Sequence, residues 1–387
     1  MCDVPALRFP EFSGEWEKLR LSDFATKITK KNKGNIVKNV LCNSANLGLV
    51  PQGNYFDREI ANTENTDGYY VICNGDFVYN PRKSTAAPFG PVNIYEGEDA
   101  GIISPLYLCF SVHNIFPKFL YYRFKSSAWH SYVYSHGDSG VRFDRVSIKD
   151  DVFFDMPIYK PAQDEQIKIA TLLQLIDDRI STQNKIIEDL KKLKSALADK
   201  LYSSTKGETY SFRQLFDVVN ERNKKLTYSN VLSASQELGM IERSDINIDI
   251  KFEQDSISKY KIVRRGDYVV HLRSFQGGFA FSDRTGICSP AYTILRPHDM
   301  VVYGYLSYFF TSKPFIKSLK LVTYGIRDGR SINVEEWLDM TVTLPTKREQ
   351  SHILAIINAI DNKLHNENQI HNYMFRQRTY LLKTMFI

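Results

Sequence analysis

At 387 residues with 43% hydrophobic side chains, the chain can hold two or three packed domains. No apolar run approaches the roughly 20 residues of a membrane helix, and the start, MCDVPALRFPEF, lacks a basic stretch followed by an apolar one, so neither a membrane span nor a signal peptide is read. The five cysteines are scattered without a CxxC pair, which argues against a disulfide framework or zinc site and for a reduced, cytoplasmic protein; the net charge of +6 is spread evenly, so a nucleic-acid reading must rest on local clusters.

In chain order, the first element of note is a lysine-rich loop, TKITKKNKGN, ending at Asn35. YYVICNGDFVYN (69–80) has two short apolar runs around an Asn-Gly-Asp turn and is expected to form a hairpin. SPLYLCFSV (104–112) reads as a strand beginning at a proline, and FPKFLYYRFKSSAWHSYV (116–133) as short amphipathic helices. From Gln163 to Ser203 there is no glycine or proline, and apolar residues recur at threes and fours from Ile169 to Leu201. This predicts a helix of about 40 residues and about 60 Å, which needs a partner helix along its length.

The rest of the chain repeats this order. NVLCNSANLG from Asn39 matches NVLSASQELG from Asn230, and YYVICNGDFVYNPR from Tyr69 matches YKIVRRGDYVVHLR from Tyr260. GIISPLYLCF from Gly101 matches GICSPAYTIL from Gly286, and GVRFDR from Gly140 matches GIRDGR from Gly325. Finally, Pro-x-x-x-Glu-Gln opens a long helical segment at both Pro161 and Pro345. The offset drifts from 191 (Asn39 to Asn230) to 184 (Pro161 to Pro345), as small loop deletions would produce. The chain is two copies of one domain-sized unit. Within each copy the first part is α+β and β-rich. The two long helices are expected to pair antiparallel as an intramolecular coiled coil, with one globular domain towards each end. The boundaries fall at 1–160 and 207–344 for the domains, and at 161–206 and 345–387 for the helices.

Three constellations carry candidate chemistry. Lys30, Lys31 and Lys33, matched by Arg222, Lys224 and Lys225, form basic loops suited to phosphate contact, although such runs are commonly just solvated. Arg82 and Arg273 follow the Gly-Asp turns. Their neighbours include Asn80 and Lys83 in one copy, and His271 and Gln276 in the other; Arg and Gln are side chains that pair bidentately with base edges. Arg142 and Arg145, matched by Arg327 and Arg330, lie in glycine-rich loops with His136 and Asp328 nearby. The plain alternative for these arginines is a loop-closing ion pair. No methylase Asn/Asp-Pro-Pro-Tyr/Phe motif, no P-loop and no metal-ligand spacing is present.

The ordered, duplicated blocks together resemble the specificity subunit (HsdS) of Type I restriction–modification systems, over essentially the whole chain. The resemblance implies two target recognition domains, each reading one half of a bipartite double-stranded DNA target. It implies two spacer helices that set the gap and dock two modification subunits, a role placed at Glu165, Gln166, Glu349, Gln350 and nearby exposed faces. It implies no catalysis and no cofactor in this chain; S-adenosylmethionine, ATP and Mg2+ belong to the modification and restriction subunits. Because two domains generally read different half-sites, residues shared between copies are assigned to holding phosphate or bracing loops: Arg82 with Arg273, Arg142 with Arg327, Arg145 with Arg330. Residues that differ between copies carry more of the code: Asn80, Lys83 and His136 in one, His271, Gln276 and Asp328 in the other. Two readings of other classes fit the same residues: a stand-alone two-headed coiled-coil DNA-binding protein, regulatory or architectural, and a structural adaptor whose domains bind protein.

Overall fold

A computed structural model describes residues 3–54, 66–137, 144–235, 238–245, 254–271, 278–324 and 331–387. Contacts divide the chain into two units: Met1–Asn184 with Ile370–Ile387, and Lys185–Gln369. Each unit therefore holds one β-rich segment together with part of both long helices.

Among the described residues of the first unit ten short strands form, β1 (Glu17–Arg20), β2 (Ala25–Lys27), β3 (Leu41–Ser44), β4 (Gly48–Pro51), β5 (Tyr70–Ile72), β6 (Phe77–Tyr79), β7 (Val92–Ile94), β8 (Gly101–Ile103), β9 (Leu108–Val112) and β10 (Pro157–Lys160). The helices are α1 (Pro117–Lys125), α2 (His130–His136), α3 (Asp150–Phe154) and α4 (Gln163–Ser203). A four-stranded antiparallel sheet runs β2-β9-β6-β7, and three two-stranded pairs, β1-β10, β3-β4 and β5-β8, surround it. Phe77 stands opposite Phe110 in the register, and their rings stack at 5.2 Å. Tyr79 stacks on Phe153 of α3 at 4.6 Å, and Trp129 closes the same aromatic core.

The second unit repeats the plan with β11 (Glu208–Ser211), β12 (Phe216–Val219), β13 (Leu232–Ser235), β14 (Gly239–Glu242), β15 (Lys261–Val263), β16 (Tyr268–Val270), β17 (Phe279–Phe281), β18 (Gly286–Cys288), β19 (Thr293–Pro297), β20 (Thr323–Tyr324), β21 (Ser331–Ile332) and β22 (Thr341–Leu344). Its helices are α5 (Phe212–Leu215), α6 (Tyr305–Phe309), α7 (Lys313–Ser318), α8 (Val334–Leu338) and α9 (Lys347–Thr384). The sheet order β12-β19-β16-β17, flanked by β11-β22, β13-β14 and β15-β18, matches the sheets of the first unit, and the second unit adds the short pair β20-β21, which has no counterpart among the described residues of the first. Its core is Phe212 stacked on the fully buried Trp337 at 4.3 Å. The duplication read in the sequence is a duplication of fold.

One local expectation is corrected. The turn in YYVICNGDFVYN forms, with Gly75 at φ +89° and the Asp76 carboxylate accepting the Cys73 N–H at 2.6 Å. The runs beside it do not pair with each other: β5 pairs with β8, and β6 with β7 and β9. A tight turn sets a reversal, but pairing follows the cross-strand partners available, which come from far along the chain. The SPLY and SPAY segments are turns that precede β9 and β19, not their first residues.

The long helices pair antiparallel within each unit. In the first, Asp177 of α4 accepts from Arg378 of α9 and from the Tyr122 hydroxyl at 3.1 Å. In the second, Asp361 of α9 pairs with Lys194 of α4 at 2.5 Å and accepts from the Tyr308 hydroxyl. These are one arrangement made twice: Asp361 lies 184 positions after Asp177, and Arg378 lies 184 after Lys194. Beneath them, Ile169, Leu173 and Ile176 share a core with Leu381, Leu382 and Met385, while Ala198 shares another with Ile353 and Ile357. No helix among the described residues is long and apolar enough to cross a membrane.

Candidate nucleic-acid interface

The lysine-rich loops are built, not merely solvated. In the first unit buried Asn32 donates to the Val37 carbonyl and accepts the Val37 N–H, both at 2.9 Å. In the second, buried Asn223 makes the same pair of bonds to Tyr228, at 2.7 and 3.2 Å. A side-chain amide that satisfies both backbone groups of one residue closes the loop into a fixed ring. Each ring contains a residue in the left-handed region, Asn35 and Leu226, both at φ 53°. The lysines are thereby held outward: Lys30, Lys31, Lys33, Lys224 and Lys225 are exposed, as is Arg222. Each loop is anchored to its neighbour by one bridge, Lys31 with Tyr70 and Arg222 with Lys261.

The other two constellations meet in the first unit. Arg82 and Arg145 oppose each other across an antiparallel bridge, flanked by Lys83 N–H to the Asp144 carbonyl and Val146 N–H to the Pro81 carbonyl, each 2.8 Å. Arg82, Lys83 and Arg145 are exposed. His136 ends α2, stacked on Tyr132 at 4.1 Å, and Gly137 after it packs near Val146 and Ser147. Asn80 spends its amide internally, accepting the Arg82 N–H at 3.0 Å and donating to the Asn43 carbonyl at 3.4 Å, a bracing geometry. In the second unit His271 is half-buried with its ring 6.1 Å from Tyr292. Arg142, Arg273, Gln276, Arg327, Asp328 and Arg330 lie outside the described residues.

Beside the Arg82–Arg145 bridge runs a groove of about 450 Å³, lined by Lys27, Tyr70, Leu106, Tyr107, Arg145 and Asp150 among others. Lys27 donates to Asp150 at 2.5 Å, and that bond raises its pKa. Burial pushes the Tyr107 hydroxyl above its usual range, while the Arg145 and Arg82 charges pull it back down. Cations, aromatic faces and apolar side chains, the exposed Leu106 among them, share this groove, a combination suited to a nucleic-acid backbone and its bases. Sequence reasoning missed Tyr70 and Tyr107, whereas Lys27 belongs to the lysine-rich stretch TKITKKNKGN. The signal for Tyr107 was present, since SPLY and SPAY recur in matching blocks.

The residues expected to dock partner subunits fare differently. Glu165 is buried, accepting from Arg8 Nε and Nη2 at 2.7 Å and from Trp16 Nε1 at 3.4 Å. Gln166 is buried, accepting the Phe116 N–H and donating to the Pro161 carbonyl, both at 2.8 Å. Gln350 repeats that clamp on the Val302 N–H at 2.8 Å and the Pro345 carbonyl at 2.9 Å. These three are corrected from surface contacts to internal fasteners, because a buried carboxylate or amide is tolerated only when its partners are supplied. Glu349 is exposed, and its carboxylate accepts the Thr346 N–H at 3.1 Å in a capping box.

No model of a known protein family matches the chain. The chain is 24% identical over 399 aligned residues to the Type I restriction enzyme MjaVIII specificity subunit of Methanocaldococcus jannaschii, covering 93% of this chain and 88% of that one. Among solved structures, a chain from work on complex assembly and conformational transition of the type I R-M system aligns with a TM-score of 0.60 at 14% identity, covering 96% and 97% of the two chains. The S subunit from M. genitalium aligns at 0.55 with 99% of each chain, and the HsdS subunit from Thermoanaerobacter tengcongensis at 0.51 with 98% and 99%, both again at 14% identity. The fold is therefore that of Type I specificity subunits. The resemblance read from the duplicated blocks is borne out.

Proposed function

We propose that this chain is the DNA sequence-recognition subunit of a Type I restriction–modification complex. Each β-rich unit reads one half of a bipartite duplex target, and the paired helices set the spacing between the halves. The observation that carries this reading is the duplication itself: the same pinned basic loop occurs on each of two matching folds, joined by helices whose interlock also occurs twice. A two-headed reader needs these parts. Docking of modification subunits falls to exposed apolar side chains of the long helices, such as Leu175 and Leu193 on α4 and Tyr373 and Tyr380 on α9. Such side chains need a partner that covers them. In this reading the protein is cytoplasmic and non-catalytic. S-adenosylmethionine serves the modification subunits, and ATP and Mg2+ the restriction subunits. The test is methyl transfer in vitro. Purified chain alone should transfer no methyl group, and addition of modification subunits and S-adenosylmethionine should yield adenine methylation. Methyl transfer by the isolated chain would overturn the reading.

A further inference from the structure

The Ser-Pro-x-Tyr segments form the same turn in both units. In the first, the Tyr107 N–H donates to the Ser104 carbonyl at 3.2 Å and the Leu106 N–H to the Ser104 hydroxyl at 3.4 Å. In the second, the Tyr292 N–H donates to the Ser289 carbonyl at 3.1 Å and the Ala291 N–H to the Ser289 hydroxyl at 3.3 Å. Serine, proline and tyrosine are shared; the third residue differs and points outward in both. Leu106 is 67% exposed, although a leucine gains from burial, and it lines the groove with Lys27, Tyr70 and Arg145. Ala291 is exposed at the matching place, on a turn whose tyrosine carbonyl accepts from Lys261, the bridge partner of Arg222. A fixed turn with one variable apolar tip, set among cations, is a reader's geometry. The one apolar feature that a base edge offers in the major groove is the 5-methyl group of thymine.

We propose that this turn is a base-contacting element of each unit, with Leu106 in one and Ala291 in the other packing on the methyl group of a thymine in the half-site that the unit reads. The inference rests on the DNA-recognition reading above. The experiment uses the full chain assembled with its modification subunits, on synthetic duplexes bearing the target found by methylation mapping. Each thymine is replaced in turn by uracil, which removes only the methyl group. Wild-type complex should lose roughly fourfold in affinity at one thymine per half-site, the worth of one methyl-sized group removed from water. Leu106→Ala should abolish that loss in one half-site and leave the other unchanged, Leu106→Met should retain it, and Ala291→Gly should act on the other half-site. Indifference of the wild type to every uracil, or sensitivity unaltered by Leu106→Ala, overturns the inference. So does a Leu106→Ala complex that weakens equally on all duplexes or fails to assemble, since the turn would then be a clamp or a subunit contact. Absence of any methylated motif dependent on the chain marks the different failure, that of the recognition reading itself.

Discussion

Arg123 of α1 is fully buried and donates once, from Nη2 to the Pro157 carbonyl at 2.9 Å, while its Nε and Nη1 have no partner among the described residues. Burial pushes its pKa down to about 10. The matching position in the second unit is Phe309. An unpaired buried cation is costly, so Arg123→Met should be neutral or stabilising by about 1–4 kcal/mol in urea unfolding; a loss of stability would mean that the guanidinium braces the core. Lys125, two residues on, is half-buried, donates to Asn93 Oδ1 at 2.6 Å and lies 5.0 Å from the Tyr121 ring centre. Burial lowers its pKa to about 8. Between about pH 8 and the ordinary lysine value of 10.5, the unfolded chain binds the extra proton, so this group makes the fold more stable as pH rises. Relative to Lys125→Met, the wild type should gain stability across that window; parallel pH curves would contradict the assignment. Residues of this kind were the least legible in the sequence. The exposed lysines of the basic loops could be read from composition, but Asn32 and Asn223, which shape those loops, look like ordinary polar loop residues. Glu165 and Gln166 read as helix surface, and only tertiary partners, Arg8 and Trp16 for the first and the backbone at Phe116 for the second, place them inside.

At the scale of elements, the interlock of α4 and α9 rests on Asp177 with Arg378 and on Asp361 with Lys194, both pairs partly buried. A double-mutant cycle of Asp177→Ala and Arg378→Met should return a coupling of about 0.5–3 kcal/mol in unfolding free energy, as expected of contacting residues. Zero coupling would mean that the helix register is held by the apolar stripe alone. These helices were legible because their apolar period runs unbroken for some 40 residues, and a glycine- and proline-free stretch of that length has few alternatives. The strands were less so. Runs such as Tyr70–Ile72 and Phe77–Tyr79 are three residues long, and their partners lie 13 (Tyr79 to Val92) to 33 (Tyr70 to Ile103) positions away in the register. Local pattern therefore gave the turn at Gly75 and not the pairing around it.

For the whole molecule, the account makes length the variable that matters. Deleting seven residues from each long helix, two turns that preserve the apolar stripe, shortens each by about 10 Å. The gap tolerated between half-sites should fall by about three base pairs at roughly 3.4 Å each, with both half-sites unchanged. An altered half-site, or an unchanged gap, would separate the helices from the spacing role. The duplication was legible at this scale because five matched blocks kept their order through a drifting offset, a pattern that survives even where single residues do not match. What each unit touches was not, because no residue type or spacing by itself marks a base contact. The most direct test of a two-headed reader is to map methylated bases across the genome of cells with and without the gene. The account predicts one adenine-methylated motif that depends on the gene and consists of two specific halves around a gap of fixed length. A map that does not change, or a gene-dependent motif that is contiguous, would contradict it.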